Sequence, residues 1–133
     1  MYRILIAEDE SVVARYLKDL LEASGFYVVA VAEDATRAMA LAQKHNPHAA
    51  LVDVHLVGSI DGISLAAYLT ENCGVNVVFV TGDPMSVCRL ASDFKNRVVS
   101  KPFSDEQILT TVSAACASHS ASVILNEISR DAE

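Results

Sequence analysis

Five apolar runs alternate with five amphipathic runs from one end of this chain to the other. The apolar runs are short and rich in Val and Ile, without strict polar alternation, which predicts strands that are covered on both faces. They predict strands at 2–7, 27–32, 50–54, 76–81 and 98–100. Strand–helix alternation of this kind predicts parallel strands joined by right-handed crossovers, and therefore a three-layer α/β/α sandwich.

The amphipathic runs carry the start and stop signals of helices. The predicted inward-facing residues are Val12, Val13, Tyr16, Leu17, Leu20 and Leu21; then Ile63, Leu65, Ala66 and Leu69; then Val87, Leu90, Ala91 and Phe94; and finally Ile108, Leu109 and Val112. The predicted helix starts are Asp34 and Asp61 as N-caps, Pro84 in a first turn, and a capping box over Ser104 to Gln107.

The chain length of 133 residues suits one domain. We expect that domain to span 1–118, with 119–133 either extending the last helix or forming a frayed tail. A hydrophobic fraction of 52% suits a compact core and excludes a disordered chain. No apolar run approaches the roughly 18 residues of a membrane span, and the N-terminus lacks signal-peptide features. These observations predict a cytoplasmic protein with no membrane partner.

Net charge and the cysteine and histidine residues limit the functions that the chain can have. The net charge of −7 offers no basic stripe to a phosphate backbone, which argues against direct binding of nucleic acid. Three widely spaced cysteines, Cys73, Cys88 and Cys116, are expected to be reduced packing residues. Of the four histidines, three are expected to face solvent: His45, His48 and His119.

Polar residues follow the predicted strands at their carboxyl ends. Glu8 and Asp9 end the first strand, Asp53 interrupts the third, Thr81 ends the fourth, and Lys101 follows the fifth. Ligand sites in parallel α/β sheets lie at this edge, so these side chains are expected to meet.

Three carboxylates in one place repel each other unless a cation joins them, and Mg²⁺ prefers such oxygen ligands. Lys101 adds a positive charge that a phosphate or the free Asp53 carboxylate accepts, and Thr81 adds a hydroxyl. This set suits an aspartyl-phosphate site, in which a carboxylate attacks a phosphoryl group while a metal and an ammonium neutralise its oxygens. Taken alone, each residue also has a purely structural interpretation. Asp53 could be a helix-cap or turn residue, and Lys101 could belong to a surface ion pair.

The ordered set resembles the receiver domain of two-component response regulators over nearly the whole chain. The residues that carry the resemblance are Glu8 and Asp9 after ILIA, Asp53 in LVDVHL, Thr81 in FVTG and Lys101 in SKPF. The resemblance implies a flavodoxin-like fold with strand order 2-1-3-4-5. It also implies a phosphoacceptor switch, not an enzyme beyond autophosphorylation and slow autodephosphorylation. A chain of this length is expected to be a stand-alone receiver, with a fragment of a longer protein as the alternative.

The resemblance further implies the role of each residue. Asp53 accepts phosphate from a histidine kinase or phosphotransfer protein, and Mg²⁺ binds Glu8, Asp9, Asp53 and the backbone carbonyl of His55. Thr81 and Lys101 contact the phosphoryl oxygens, and the Lys101–Pro102 peptide is cis. His55 and Asp83 border the attacking water and tune the lifetime of the phosphoryl group. The α4–β5–α5 face is a candidate contact for an unknown downstream protein or for a homodimer.

Two residues depart from the family pattern. Glu8 stands where many receivers have aspartate, which leaves metal binding intact. Val98 stands where receivers often have the Tyr or Phe ring that moves inward with the threonine, so the usual Thr–aromatic coupling is not expected here.

Two other functions compete with the phosphoacceptor. A phosphohydrolase of the haloacid dehalogenase type also uses an aspartyl nucleophile and Mg²⁺, but its DxDxT signature is absent after the first strand. A phosphorylation-independent pseudo-receiver is a binding module only, and the joint presence of Asp53, Thr81 and Lys101 argues against it.

Overall fold

Five parallel strands form one sheet in the spatial order β2-β1-β3-β4-β5. The strands are β1 Arg3–Ala7, β2 Tyr27–Ala32, β3 Ala49–Val52, β4 Asn76–Thr81 and β5 Val98–Ser100. The helices are α1 Ser11–Ala23, α2 Ala35–His45, α3 Gly62–Cys73, α4 Pro84–Leu90 and α5 Asp105–Ala132, with a 3₁₀ turn at Ser92–Phe94. This computed structural model describes the backbone of residues 1–132 and the side chains of residues 1–119.

Residues of β1 alternate between two hydrophobic cores, one on each side of the sheet. Leu5 and Ala7 contribute to a core covered by α2, α3 and α4. Ile4 and Ile6 contribute to the opposite core, which is covered by α1 and α5. The predicted three-layer sandwich and its strand order are therefore confirmed.

The helix starts follow the predicted capping chemistry. Asp34 accepts a hydrogen bond from the Arg37 amide, and Asp61 accepts one from the Ser64 amide, each at 2.8 Å. At α5 the capping box is complete, since the Ser104 amide donates to Gln107 Oε1 and the Gln107 amide donates to Ser104 Oγ, each at 3.2 Å. These bonds satisfy amides that the helices cannot pair internally.

Some predicted inward-facing residues are exposed instead. Val12 is 80% exposed, because it lies in the first turn of α1, beyond the last residue of β1. Tyr16 is half exposed and donates to Asp105 Oδ1 at 2.5 Å, beside the Phe103 ring. Leu90 is 69% exposed because α4 ends there and the 3₁₀ turn follows. Cys88 is also exposed, so it is not a packing residue.

Two strands have bounds that differ from those predicted: β1 covers Arg3–Ala7 instead of 2–7, and β3 covers Ala49–Val52 instead of 50–54. β3 ends at Val52, so Asp53 follows the strand and does not interrupt it. The backbone of α5 continues to Ala132, as expected if 119–133 extend the last helix. The apolar side chains of the predicted tail, from Val123 to Ile128, lie outside the described residues.

His48 was expected to face solvent, but it is half buried at the edge of the sheet opposite the carboxylates. Its Nδ1 accepts a hydrogen bond from the Arg3 amide at 2.9 Å. Its ring lies between those of Tyr2 and His119, with edge-to-face centroid distances of 5.2 and 5.1 Å. Burial, together with the positive charge of Arg3, lowers the pKa of His48.

Substituting His48 with glutamine is expected to reduce the loss of stability in acid. Protonation of His48 converts Nδ1 from an acceptor into a donor that faces the donating Arg3 amide. The unfolded chain binds this proton more readily, so the free energy of unfolding falls as the pH drops below about 6.5. Denaturant titrations at about pH 7.5 and about pH 5.5 measure the difference. Equal losses in wild type and His48→Gln would contradict this coupling.

Candidate functional site

Three charged side chains meet at the carboxyl edge of the sheet. The Lys101 ammonium donates to Glu8 Oε1 and to Asp53 Oδ2, each at 2.8 Å. The side chains of Glu8 and Asp53 are only 3% and 8% exposed, and that of Lys101 is 19% exposed. Lys101 thus neutralises two carboxylates that would otherwise be buried without a counter-charge.

Backbone hydrogen bonds to neighbouring strands fix the positions of Glu8, Asp53 and Lys101. The Glu8 amide donates to Ala32 O at 3.0 Å, and the Asp53 amide donates to Ala7 O at 3.1 Å. The Lys101 amide donates to Thr81 O at 2.9 Å, directly before the cis Lys101–Pro102 peptide, which confirms the predicted isomer. Each charged residue is therefore the first one beyond a strand and is still held by the neighbouring strand.

The pKa values of Glu8 and Asp53 are shifted in opposite directions. Burial raises the pKa of Glu8 to about 7, although the hydrogen bond from Lys101 opposes this. Burial also acts to raise the pKa of Asp53, but the hydrogen bonds from Lys101 and the His55 amide outweigh it and lower that pKa. The hydrogen bonds to Asp53 and Glu8 raise the pKa of Lys101 despite its burial. Asp53 is therefore ionised at neutral pH, as a nucleophile must be.

Four carboxylates form an acidic cluster, which comprises Glu8, Asp9, Glu10 and Asp53. One oxygen from each lies within 4.8 Å of the others. Several close carboxylate oxygens on an accessible edge are the donors that Mg²⁺ binds in proteins, so these residues fit the ion. Sequence reasoning assigned no role to Glu10, although its Oε1 lies 3.3 Å from the Lys101 ammonium. Its position in the acidic run after β1 was the available signal.

Thr81, Asp83 and His55 form a second set beside this cluster. The buried Thr81 hydroxyl accepts a hydrogen bond from the Asp83 amide at 3.0 Å. His55 Nε2 donates to Asp83 Oδ2 at 2.8 Å, and the His55 amide donates to Asp53 Oδ1 at 3.1 Å. Hydrogen bonds to Ser86 and then to His55 lower the pKa of Asp83. The two residues predicted to tune the phosphoryl lifetime are thus in direct contact.

Gly62 permits α3 to begin directly against the backbone of Asp53. Its amide donates to Val54 O at 2.8 Å. A Cβ at this position would lie 1.9 Å from the carbonyl oxygen of Asp53 and 2.8 Å from Val54 Cα. No atom other than hydrogen fits there, so Gly62 fixes the backbone of the site. Its sequence neighbourhood suggested only the start of a helix.

On the α1 side of the cluster lies a small open groove of about 210 Å³, lined in part by Glu8, Asp9, Arg15 and Lys18. Asp53 and Lys101 are not among its lining residues. Pockets that enclose drug-sized ligands measure roughly 300–1,000 Å³. This groove is therefore small for an enclosed organic substrate.

Comparison with known families shows which family the chain belongs to. A family model described as the response regulator receiver domain matches residues 4–113. The chain belongs to the response regulator receiver family. Receivers are the input domains of two-component systems, so the recognition made from the strand-end residues is confirmed.

Curated relatives of this receiver include two bacterial regulators. It is 30% identical over 117 residues to the transcriptional regulatory protein PdtaR of Mycobacterium tuberculosis, covering 85% of this chain and 56% of that protein. It is 29% identical over 113 residues to the phyllosphere-induced regulator PhyR of Methylorubrum extorquens, covering 84% and 42%. The receiver therefore spans about half the length of these relatives.

Solved structures share the fold. The signal receiver domain of a modulated diguanylate cyclase from Desulfovibrio desulfuricans G20 has a TM-score of 0.83 at 27% identity, covering 92% of this chain and 98% of that one. PhyR from Brucella abortus has a TM-score of 0.80 at 27% identity, covering 94% and 51%. Among the described residues, none of the helices has both the length and the hydropathy of a membrane span.

Proposed function

We propose that this receiver accepts a phosphoryl group on Asp53 from a phosphohistidine and acts as a phosphorylation-controlled switch. One observation carries the proposal: an ionised Asp53 held 2.8 Å from Lys101, beside an acidic cluster suited to Mg²⁺. A pseudo-receiver has no need to retain these buried charges, which are costly without a function that uses them.

The reaction is a direct transfer. One Asp53 carboxylate oxygen attacks phosphorus, and a P–O bond forms as the P–N bond of phosphohistidine breaks. The electron pair of that bond returns to the imidazole nitrogen of the donor, which is left neutral or takes a proton from water. Hydrolysis of the acyl phosphate later frees Asp53 and inorganic phosphate, so the chain turns over slowly and is not a dedicated enzyme.

Glu8, Asp9, Asp53 and the His55 backbone carbonyl would hold Mg²⁺, with Glu10 adding negative charge beside them. When bound, the ion neutralises charge that develops on the phosphoryl oxygens. Lys101 supplies a second positive charge, and Thr81 supplies a hydroxyl to one phosphoryl oxygen. His55 and Asp83 border the side from which water attacks, and we assign to them the tuning of the phosphoryl lifetime.

The donor is a histidine kinase or phosphotransfer protein, and an unnamed downstream protein reads the phosphorylated state in the cytoplasm. The α4–β5–α5 face remains the candidate contact for that reader or for a second copy, since β5 is the sheet edge and Leu90 is exposed beside it.

Incubation with acetyl phosphate and Mg²⁺ tests the proposal. Intact mass is expected to show one added phosphoryl group on wild type and none on Asp53→Asn, because the amide is not a nucleophile. The addition should disappear when EDTA replaces Mg²⁺. The matched control is Asp19→Asn, which makes the same chemical change on the exposed face of α1. It should be phosphorylated like wild type.

Three results would overturn parts of the proposal. No added phosphoryl group on wild type, from acetyl phosphate or from a phosphorylated histidine donor, would favour the pseudo-receiver. Repeated hydrolysis of a phosphate monoester would favour the phosphohydrolase. In the same assay, a phosphoryl half-life unchanged by His55→Asn and by Asp83→Ala would reject the tuning role of those residues.

A further inference from the structure

The hydroxyl expected to follow the phosphoryl group is already bonded to the start of α4. Thr81 Oγ1 accepts the Asp83 amide at 3.0 Å. Thr81 is fully buried at the end of β4, so its hydroxyl has little freedom to move independently. Across the β4–β5 pair, the half-buried Val98 offers no ring to follow a motion of Thr81.

Asp83 in turn holds both the first turn of α4 and the loop after β3. Its carboxylate accepts hydrogen bonds from Ser86 Oγ at 2.6 Å and from the Ser86 amide at 3.3 Å. It also accepts one from His55 Nε2 at 2.8 Å. A displacement of the Asp83 backbone therefore disturbs the helix cap and the link to His55 together.

Little else anchors α4. The helix has seven residues, of which only Ser86 and Val87 are buried. Met85 and Leu90 are 64% and 69% exposed. A helix this short is not stable by its own backbone hydrogen bonds, so its population depends on its cap and its few packing contacts.

We infer that Asp83 is a positioning residue that relays the motion of Thr81 to α4, in the absence of an aromatic residue at position 98. This inference rests on the proposed function, because it needs a phosphoryl group on Asp53. When the Thr81 hydroxyl is drawn toward a phosphoryl oxygen, the Asp83 amide follows it or loses its acceptor. Either displacement weakens the cap on α4, and the state with a loosened α4 gains population.

Amide hydrogen exchange tests the relay, with beryllofluoride and Mg²⁺ as the phosphoryl mimic. In wild type, exchange of the α4 amides is expected to rise about five- to tenfold when the mimic binds, which is the effect of losing a helix cap. In Asp83→Ala, exchange of α4 should be high from the start and rise no further. Asp83→Asn, which keeps a capping oxygen, should restore the response.

Two control variants separate the relay from a merely structural cap. Asp34→Ala removes the equivalent cap of α2, so it should raise exchange in α2 alone and leave the response of α4 unchanged. Thr81→Ala loses a contact to the mimic and should bind it more weakly. When the mimic saturates this variant, as its bound fluorine signal reports, α4 should still not respond.

Bound beryllofluoride has its own fluorine NMR signal, which separates the two hypotheses. No bound signal on wild type would refute the proposed function and the relay with it. A bound signal with unchanged α4 exchange would refute the relay alone. A full response of α4 in Thr81→Ala or in Asp83→Ala would also refute it.

Discussion

Lys101→Met is expected to lower the free energy of unfolding of the metal-free protein by about 3 kcal/mol near neutral pH. The substitution keeps most of the side-chain volume but leaves Glu8 and Asp53 buried beside each other with no positive charge. Removing one partner of a buried ion pair is costly because the remaining charge has lost both water and its partner. Urea unfolding in the presence of EDTA measures the loss.

The loss should be larger at alkaline pH and smaller in mild acid. The pKa of Glu8 is already raised by burial, and removing Lys101 removes the contact that lowers it. A carboxyl group with a raised pKa binds its proton more tightly in the folded state, so stability is gained as the pH falls through that pKa. Millimolar Mg²⁺ should restore part of the loss, since the ion would neutralise the same carboxylates.

Lys44→Met is the matched control, because it makes the same change in net charge on the exposed face of α2. It should change the free energy of unfolding by no more than about 0.5 kcal/mol. Equal effects of the two substitutions would mean that Lys101 does not stabilise the buried carboxylates.

Gly62→Ala is expected to destabilise the protein by about 3 kcal/mol, the upper part of the usual range for overpacking. The added Cβ would overlap the carbonyl oxygen of Asp53, and both neighbours are backbone atoms that cannot rotate away. The start of α3 must therefore shift, and the Asp53 backbone with it. Chemical denaturation measures the cost.

Gly82→Ala provides the control, since a Cβ at that position meets no atom within 4 Å. It should cost less than about 1 kcal/mol. The folded fraction of Gly62→Ala should also be phosphorylated more slowly by acetyl phosphate, because Asp53 has moved relative to Lys101. Wild-type stability and rate in Gly62→Ala would show that the close approach of α3 does not fix the site.

The alternation of runs was enough to predict the layers, and the strand ends were enough to bring Glu8, Asp9, Asp53 and Lys101 together. The caps at Asp34, Asp61 and Ser104 were also predictable, since each depends on residues three positions apart. Strand order came from the family resemblance, because nothing in the order of elements along the chain dictates which strands become neighbours.

Other features depend on contacts that sequence spacing cannot report. Tyr16 has the spacing of a core residue, yet its hydroxyl bonds to Asp105, which lies 89 positions away. The exposure of Leu90 depends on where α4 ends. The contact between His55 and Asp83 requires two loops to meet, and the need for glycine at position 62 depends on how closely α3 approaches Asp53.

The arm of Lys101 has a mechanical consequence for the sheet. β5 is a three-residue edge strand that pairs only with β4, yet the residue after it reaches across β4 to side chains that follow β3 and β1. The Lys101 ammonium thus links the edge strand β5 to the ends of β3 and β1 in the middle of the sheet. If β5 separated from β4, the Lys101 ammonium would leave Glu8 and Asp53, and the two carboxylates would repel each other. Local opening of this edge strand would therefore disrupt the site before the strands in the middle of the sheet separate.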